Sequence, residues 1–377
     1  MSGFNIKKVS TRIVDLPIKR PHQFSTTTVS TKAFVIVEVT LNNGVVGYGE
    51  GTTPGIWWNG ESVESMDLVI NQYLSPIVLN QDARSIEKIL TLMDRHVRAN
   101  SFAKAAVEMA LYDALGKAYG VPVYQLLGGL SHESIPVCWA LATGSVEGDV
   151  KEAKEYVEAG RYQHFKVKAG KLATTIDVKR NIELSSGLDG VAQIGIDPNG
   201  SWDRVNTVQA MDLLKEANIA FLEQPLAPHD FEGMARLSSM NSVPVMADES
   251  VQSIQDAYNL AKQFACNLFS LKIHKFGGLK NTVKVAAIAE AAGIDCFGGT
   301  SLESSIGTAA SLHAFATVRN LSYGCESFGP DWLKYDLVKE PLPINNGQIS
   351  VPQGPGLGVE VSEEMVEKFS RKAVKEV

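Results

Sequence analysis

Between Phe165 and Lys272 the chain repeats one pattern, a short apolar run that ends on a charged residue. Phe165-Lys166-Val167-Lys168, Ile194-Gly195-Ile196-Asp197, Ala220-Phe221-Leu222-Glu223, Val245-Met246-Ala247-Asp248 and Phe269-Ser270-Leu271-Lys272 end at successive intervals of 29, 26, 25 and 24 residues. Between the runs, apolar residues recur at helical spacing, as at Val205, Val208, Met211 and Leu214. One strand, one helix and two short loops consume about 25 to 30 residues, so the pattern predicts consecutive βα units. Continuous apolar runs, rather than alternating ones, predict strands buried on both faces of a parallel sheet. If the units close into a barrel, their C-terminal ends share one rim, where barrels of this kind carry their chemistry.

The rest of the chain has a different rhythm. Residues 5–50 alternate as antiparallel strands do, with a turn at Asn42-Asn43-Gly44, and helical patterns follow to Tyr119. Strands followed by helices predict a separate α+β domain. The barrel is expected to begin near Ser134, with Ile135-Pro136-Val137-Cys138-Trp139-Ala140. A seventh strand is expected from Ile294 to Thr300 and an eighth near Leu321 to Ser327. Ser301 to Gly307 is expected to start a helix, whose backbone amides can bind a carboxylate; close packing at a barrel turn explains the glycines equally well. Pro341 to Val361 reads as extended strands crossing back to the first domain, and Ser362 as the cap of a short final helix.

Composition narrows the class. With 377 residues, 45% of them hydrophobic, the chain is long enough for a barrel and one smaller domain. No run of eighteen apolar residues is present and Met1 to Asn5 holds no apolar signal core, so the expectation is a cytoplasmic protein with no membrane partner. A net charge of −7 without a basic run gives no sign of nucleic-acid binding. Cys138, Cys266, Cys296 and Cys325 are scattered and are expected to be reduced core thiols.

The charged strand ends suggest the chemistry. Asp197, Glu223 and Asp248 would repel one another on one rim unless a cation lies among them, and three hard oxygen donors suit Mg²⁺ or Mn²⁺. Lys166 and Lys168 point to the same face about 6.6 Å apart. Each ammonium, and a dication nearby, disfavours protonation of the other, so one of the two lysines can be poised to exchange a proton near neutrality. Lys272 arrives from the opposite side. Such a site suits a proton next to a carboxylate, or a carboxylate conjugated to a double bond, reacting through an enolate-like anion.

Lys166-Val167-Lys168, Asp197-Pro198-Asn199, Leu222-Glu223-Gln224-Pro225, Ala247-Asp248-Glu249-Ser250 and Leu271-Lys272-Ile273 resemble the motifs of the enolase superfamily, muconate-lactonizing subgroup, in order and spacing over nearly the whole chain. A catalytic lysine with Mg²⁺ is that superfamily's general design. The resemblance implies an α/β fold: a modified (β/α)7β TIM barrel at 131–330, an N-terminal α+β capping domain at 1–130, and a segment at 331–377 that completes the cap. It implies one Mg²⁺ or Mn²⁺ per subunit on Asp197, Glu223 and Asp248, with Asn199 and Glu249 supporting the metal or the lysines. Glu326 and Phe328 resemble pocket residues of the subgroup, and Gln224 and Pro225 are read as structural. Pro198 and Gly200 depart from many relatives, leaving that turn's shape open.

Arg20 to Ser25 and Thr52 to Gly60 match loops that close over the barrel mouth in related enzymes. Trp57 and Trp58 are therefore read as a lid, or else as a contact between domains or subunits; Thr300 is placed in the pocket with them. The expected activity is cycloisomerisation of cis,cis-muconate to muconolactone, with Lys168 as proton donor, Lys166 lowering its pKa, and Lys272 holding charge or substrate. Chlorinated muconates are a close alternative substrate. The rival readings are 1,1-proton transfer, as in dipeptide epimerases and N-acylamino acid racemases, and dehydration, as in o-succinylbenzoate synthase. The epimerases typically carry Asp-x-Asp where this chain has Glu326-Ser327-Phe328. A catalytically silent binding protein is the reading from another class. The resemblance also implies a homo-oligomer, with octamers frequent.

Overall fold

Alternation near the start of the chain becomes a three-stranded antiparallel meander of β1 (Ile6–Gln23), β2 (Thr28–Leu41) and β3 (Val46–Gly51). The structure, a computed structural model, describes residues 3–23 and 28–371. The helix Ser101–Tyr119 lies on this sheet and is buried all round from Phe102 to Gly116, as a helix clasped between two layers must be. Gly47 and Gly49 make that packing possible. A Cβ at Gly47 would stand 2.1 Å from Ala110 O, and one at Gly49 would stand 2.0 Å from Ala106 O. Sheet and helix therefore meet backbone to backbone, and only glycine fits.

β4 (Ser134–Pro136) precedes seven parallel strands: β5 (Cys138–Leu141), β6 (His164–Lys168), β7 (Ile194–Asp197), β8 (Phe221–Glu223), β9 (Val245–Ala247), β10 (Leu268–Leu271) and β11 (Asp295–Gly298). The seven lie in sequence order in one sheet, with helices in the connections. The register sets Lys166 beside Gly195 and Lys168 beside Asp197.

Two expectations change. Ser134–Pro136 is not a barrel strand: β4 pairs with β13 (Gln348–Ser350), which pairs with β12 (Ile344–Asn345). Pro136 has no N–H for a central ladder, and an edge position tolerates it. The expected eighth strand at Leu321–Ser327 is an irregular segment in which Cys325 alone bridges both open edges, to Val137 and to Gly298. Gly324, at φ +71 with Pro136 O 2.5 Å from where its Cβ would be, interrupts the extended backbone. The chain meets the first domain at Leu333 and Lys334, where Lys334 N donates to Pro17 O at 3.0 Å, and the 341–350 stretch then lies beside β4. Beyond that stretch Gly356 O accepts from Val123 N at 2.9 Å, and the helix Glu363–Phe369 packs on β1, where Arg371 N donates to Ile13 O at 2.8 Å. Ser362 caps that helix as expected.

All four cysteines are free and buried. Among the described residues no helix is long and apolar enough to cross a membrane.

Candidate active site

Because β5 to β11 run parallel, their C-terminal ends open on one side. β6 ends on Lys168, with Lys166 two residues earlier on the same face; β7 ends on Asp197 and β8 on Glu223. Asp248 directly follows β9 and Lys272 directly follows β10. Cys325 brings Glu326 to the same rim.

The rim is an alternating lattice of charges. Lys166, 1% exposed, has its Nζ 2.7 Å from Glu223 Oε2, 2.5 Å from Glu326 Oε2 and 3.5 Å from Asp197 Oδ2. Lys168 Nζ donates to Asp197 Oδ2 at 2.5 Å, and Lys272 Nζ to Asp248 Oδ2 at 2.5 Å. Asn199 donates to Asp197 through its backbone N at 2.9 Å and to Glu249 Oε1 through Nδ2 at 3.0 Å. The same Glu249 oxygen accepts from Trp58 Nε1 at 3.1 Å, and the Trp58 ring centroid lies 4.6 Å from Lys272 Nζ. Gln224 has the structural role expected of it: its Oε1 accepts from the Asp248 and Ser250 amides, each at 3.0 Å.

Proton affinities follow the neighbours. Burial pushes Glu223 up to about 7 even though the Lys166 ammonium opposes it. Burial and the charges of Asp248 and Asp197 raise Glu249 to about 8. Asp248 goes the other way: burial would raise it, but Lys272 and Lys275 hold it well below the carboxylate range. Burial likewise works against Lys166, and Glu223, Glu326 and Asp197 outweigh it to keep the ammonium charged.

Among the described residues no three acidic, histidine or cysteine side chains are gathered into a ready-made metal site, since the lysines stand between the acids. The donor set nevertheless suits a hard dication. Glu223 Oε1 is buried with no hydrogen-bond partner among the described residues, and Asp197, Asp248 and Glu326 all raise its proton affinity through their charge.

Sequence reasoning missed Lys275. Its Nζ donates to Asp248 Oδ1 at 2.7 Å, Asp248 O at 2.9 Å and Ser270 O at 2.7 Å, and it is completely buried. The signal is a second lysine three residues after Lys272, in the run Lys272-Ile273-His274-Lys275-Phe276. The carboxylate expected at the helix start near Ser301–Gly307 comes from the protein itself. Ahead of and within the first turn of the helix Ser305–Phe315, Glu50 accepts from Ser304 N at 3.0 Å and Gly307 N at 3.4 Å, and Asp336 accepts from Ser305 N at 3.2 Å.

Over the rim, Pro54, Trp57 and Trp58 face Thr300, Leu302 and Phe328 across a cavity of about 20 Å³ that Lys168, Lys272 and Glu326 also line. Gly55 shapes the loop, because a Cβ there would stand 2.5 Å from Trp57 Nε1. Phe328 packs on Trp139 with ring centroids 4.9 Å apart, and the Thr300 hydroxyl donates to Glu303. In the other loop, Arg20 Nη2 donates to Ala140 O at 3.2 Å and Glu152 Oε2 at 3.1 Å; Phe24 and Ser25 lie outside the described residues.

A parallel barrel under an α+β cap, with lysines and acids interleaved on the C-terminal rim, is the architecture of a barrel enzyme that moves protons beside carboxylates. The family models agree: residues 8–128 match the mandelate racemase / muconate lactonizing enzyme N-terminal domain, and residues 148–365 match the enolase C-terminal domain-like family. The chain belongs to the mandelate racemase / muconate lactonizing enzyme family of the enolase superfamily. It is 41% identical to muconate cycloisomerase 1 of Rhodococcus opacus, over 98% of this chain and 100% of that one. It is 40% identical to a chloromuconate cycloisomerase of Cupriavidus necator, again over 98% and 100%. Among solved structures, the muconate lactonizing enzyme of Pseudomonas fluorescens complexed with muconolactone superposes with a TM-score of 0.96 at 38% identity, covering 98% of this chain and 100% of that one.

Proposed function

We propose that this chain cycloisomerises cis,cis-muconate to muconolactone. The observation that carries the reading is the interleaved rim, Lys166 and Lys168 on one side of the acids and Lys272 on the other, in a chain similar over its full length to cycloisomerases. Asp197, Glu223 and Asp248 would hold one Mg²⁺ or Mn²⁺, a dication whose charge offsets the negative charge that develops on a substrate carboxylate. Asn199 orients Asp197 by a hydrogen bond, and Glu249 in turn holds Asn199 by accepting from its Nδ2.

The chain's own groups account for the proton. One substrate carboxylate adds through its oxygen to a ring-closing carbon of the diene, forming one C–O bond. The electron pair of that double bond moves to the carbon next to the other carboxylate, where Lys168 delivers a proton that solvent later replaces. Lys166, fixed between Glu223 and Glu326, supplies fixed positive charge beside the donor. Lys272, under the Trp58 ring, supplies it on the other face. Glu326 and Phe328 bound the pocket with Thr300. Pro54, Trp57 and Trp58 cover one side of the cavity, and their loop serves as a lid that opens to admit substrate and closes to exclude water.

Chloromuconate cycloisomerisation is the second reading, favoured by a relative at 40% identity against 41% for the muconate enzyme. The family's divalent-metal chemistry, a cytoplasmic location and assembly into a homo-oligomer accompany the proposal. The decisive assay follows diene absorbance with muconate and Mn²⁺ in D₂O. Lactonisation consumes the absorbance and fixes one deuteron in the product. Unchanged muconate together with α-proton exchange in dipeptides or N-acyl amino acids would replace this reading by an epimerase. Inertness to all of these substrates would leave a binding protein.

A further inference from the structure

Lys32 lies on β2, away from the rim lysines, and is only 5% exposed. A lysine this deep persists where its charge and donors are answered. Its Nζ donates to Thr53 O and Ser301 O, each at 2.7 Å; burial pushes its pKa down to about 7 although the charges of Glu303 and Glu50 oppose the shift. These two carbonyls belong to opposite walls of the cavity. Thr53 precedes Pro54, which lines the cap side; Ser301 lies between Thr300 and Leu302, which line the barrel side.

Each wall also has its own internal ties. On the cap side, Thr52 Oγ1 donates to Ala33 O at 2.9 Å and Thr53 Oγ1 to Asn59 Oδ1 at 3.0 Å. On the barrel side, Ser301 N donates to Glu303 Oε1 at 2.9 Å and Leu302 N to Thr300 Oγ1 at 2.8 Å. Leu302 holds φ +65, a left-handed backbone that a leucine keeps only when its surroundings impose it. Internal ties shape each wall, and Lys32 Nζ, which donates to a carbonyl on each side, joins one wall to the other.

We propose that Lys32 is a positioning residue that sets the width of the substrate cavity, by tying the loop that carries Pro54, Trp57 and Trp58 to the turn that carries Thr300 and Leu302. Substrate size is then read by a group that never touches substrate. A bulky substituent on the diene meets walls that cannot part, whereas an enzyme without the tie accommodates it at the expense of grip on the smaller substrate. The kinetic part rests on the cycloisomerase reading; the spacing of the two walls does not.

Lys32→Met removes the Nζ donor and keeps the stem, and Lys32→Gln serves if Lys32→Met does not fold. Hydrogen exchange is followed by mass spectrometry in segments 52–60 and 299–304, with 194–197 as the control. The expected result is faster exchange in both loop segments and none in the control. With muconate, KM is expected to rise about tenfold while kcat stays within about threefold, a loss of binding rather than chemistry. The ratio of kcat/KM for chlorinated over unsubstituted muconate is expected to rise about threefold or more. Unchanged exchange, exchange in one loop alone, or exchange that spreads to the control overturns the proposal; so does a proportional loss of kcat on both substrates at constant KM. If the wild-type chain turns over no muconate, the cycloisomerase reading fails by itself and the exchange pattern decides the role of Lys32.

Discussion

Buried carboxylates at the rim and buried carboxylates along the seam between cap and barrel are held in different ways. At the rim they are answered by ammonium groups, as in Lys166 with Glu223 and Glu326 or Lys272 with Asp248. Along the seam they are answered by backbone amides at helix starts. Glu108, on the helix Ser101–Tyr119, accepts from Leu279 N at 2.6 Å and Lys280 N at 2.9 Å where the helix Leu279–Ala292 begins. Glu50 does the same for the helix Ser305–Phe315. Within the cap, Glu61 accepts from Phe102 N and Ala103 N, each at 3.1 Å. Burial raises Glu50 to about 7 and Glu108 to about 8 despite those amides. An amide does not titrate and its dipole is fixed, so at the seam only the carboxylate can change its protonation. An ammonium can give up its proton and change partner, so the rim pairings can take part in chemistry.

The comparison breaks if the two regions fail to separate activity from stability. Lys168→Ala is expected to lower kcat by about 10³-fold or more. Its folding free energy should stay within about 1 kcal/mol of wild type in urea titrations, since Lys166 and Asn199 still face Asp197. A stability loss that accounts for the lost activity would make the rim structural. The seam should behave in the converse way. Glu108→Ala strands the buried Leu279 amide and the part-buried Lys280 amide and is expected to cost about 3 kcal/mol of folding free energy, with kcat changed by less than about twofold. A large kcat effect at unchanged stability would show that the seam serves chemistry.

A third test uses pH. His313, on the helix that Glu50 caps, accepts from Tyr124 N at 3.3 Å, and burial pushes its pKa down to about 4 from 6.5. The unfolded chain therefore takes up the proton first, so stability that is full above pH 6.5 is lost as the pH falls toward 4. The whole effect is of order 3 kcal/mol, read as the difference between wild type and His313→Gln in denaturation midpoints across that window. Parallel pH profiles for the two proteins would remove His313 from the account. The smallest expected effect lies at the surface, where Arg371 pairs with Asp15 and Glu64. Arg371→Ala should cost about 0.5 kcal/mol, and the difference should vanish in 1 M salt.

What could be read from the chain alone was what repeats locally. Apolar runs at a βα period predicted the barrel, and the charged residue closing each run predicted which side chains share the rim, because parallel strands align their ends whatever lies between them. The motifs gave the family for the same reason. Segments with weaker local preference were misread: Ser134–Pro136 left the barrel for an edge sheet, and Leu321–Ser327 closed it through Cys325 alone.

The strand ends, their order and the residue types at the rim were thus determined by sequence, since a two-residue strand alternation and a helix turn are short-range properties of the chain. Which charge answers which was decided by the tertiary structure. Glu50 reaches Ser304 across 254 positions, Lys32 reaches Ser301 across 269, and Lys275 turns onto Asp248 across 27. A buried charge must find a partner wherever packing brings one. That partner is chosen by the way the cap lies on the barrel, a choice that no stretch of neighbouring residues encodes.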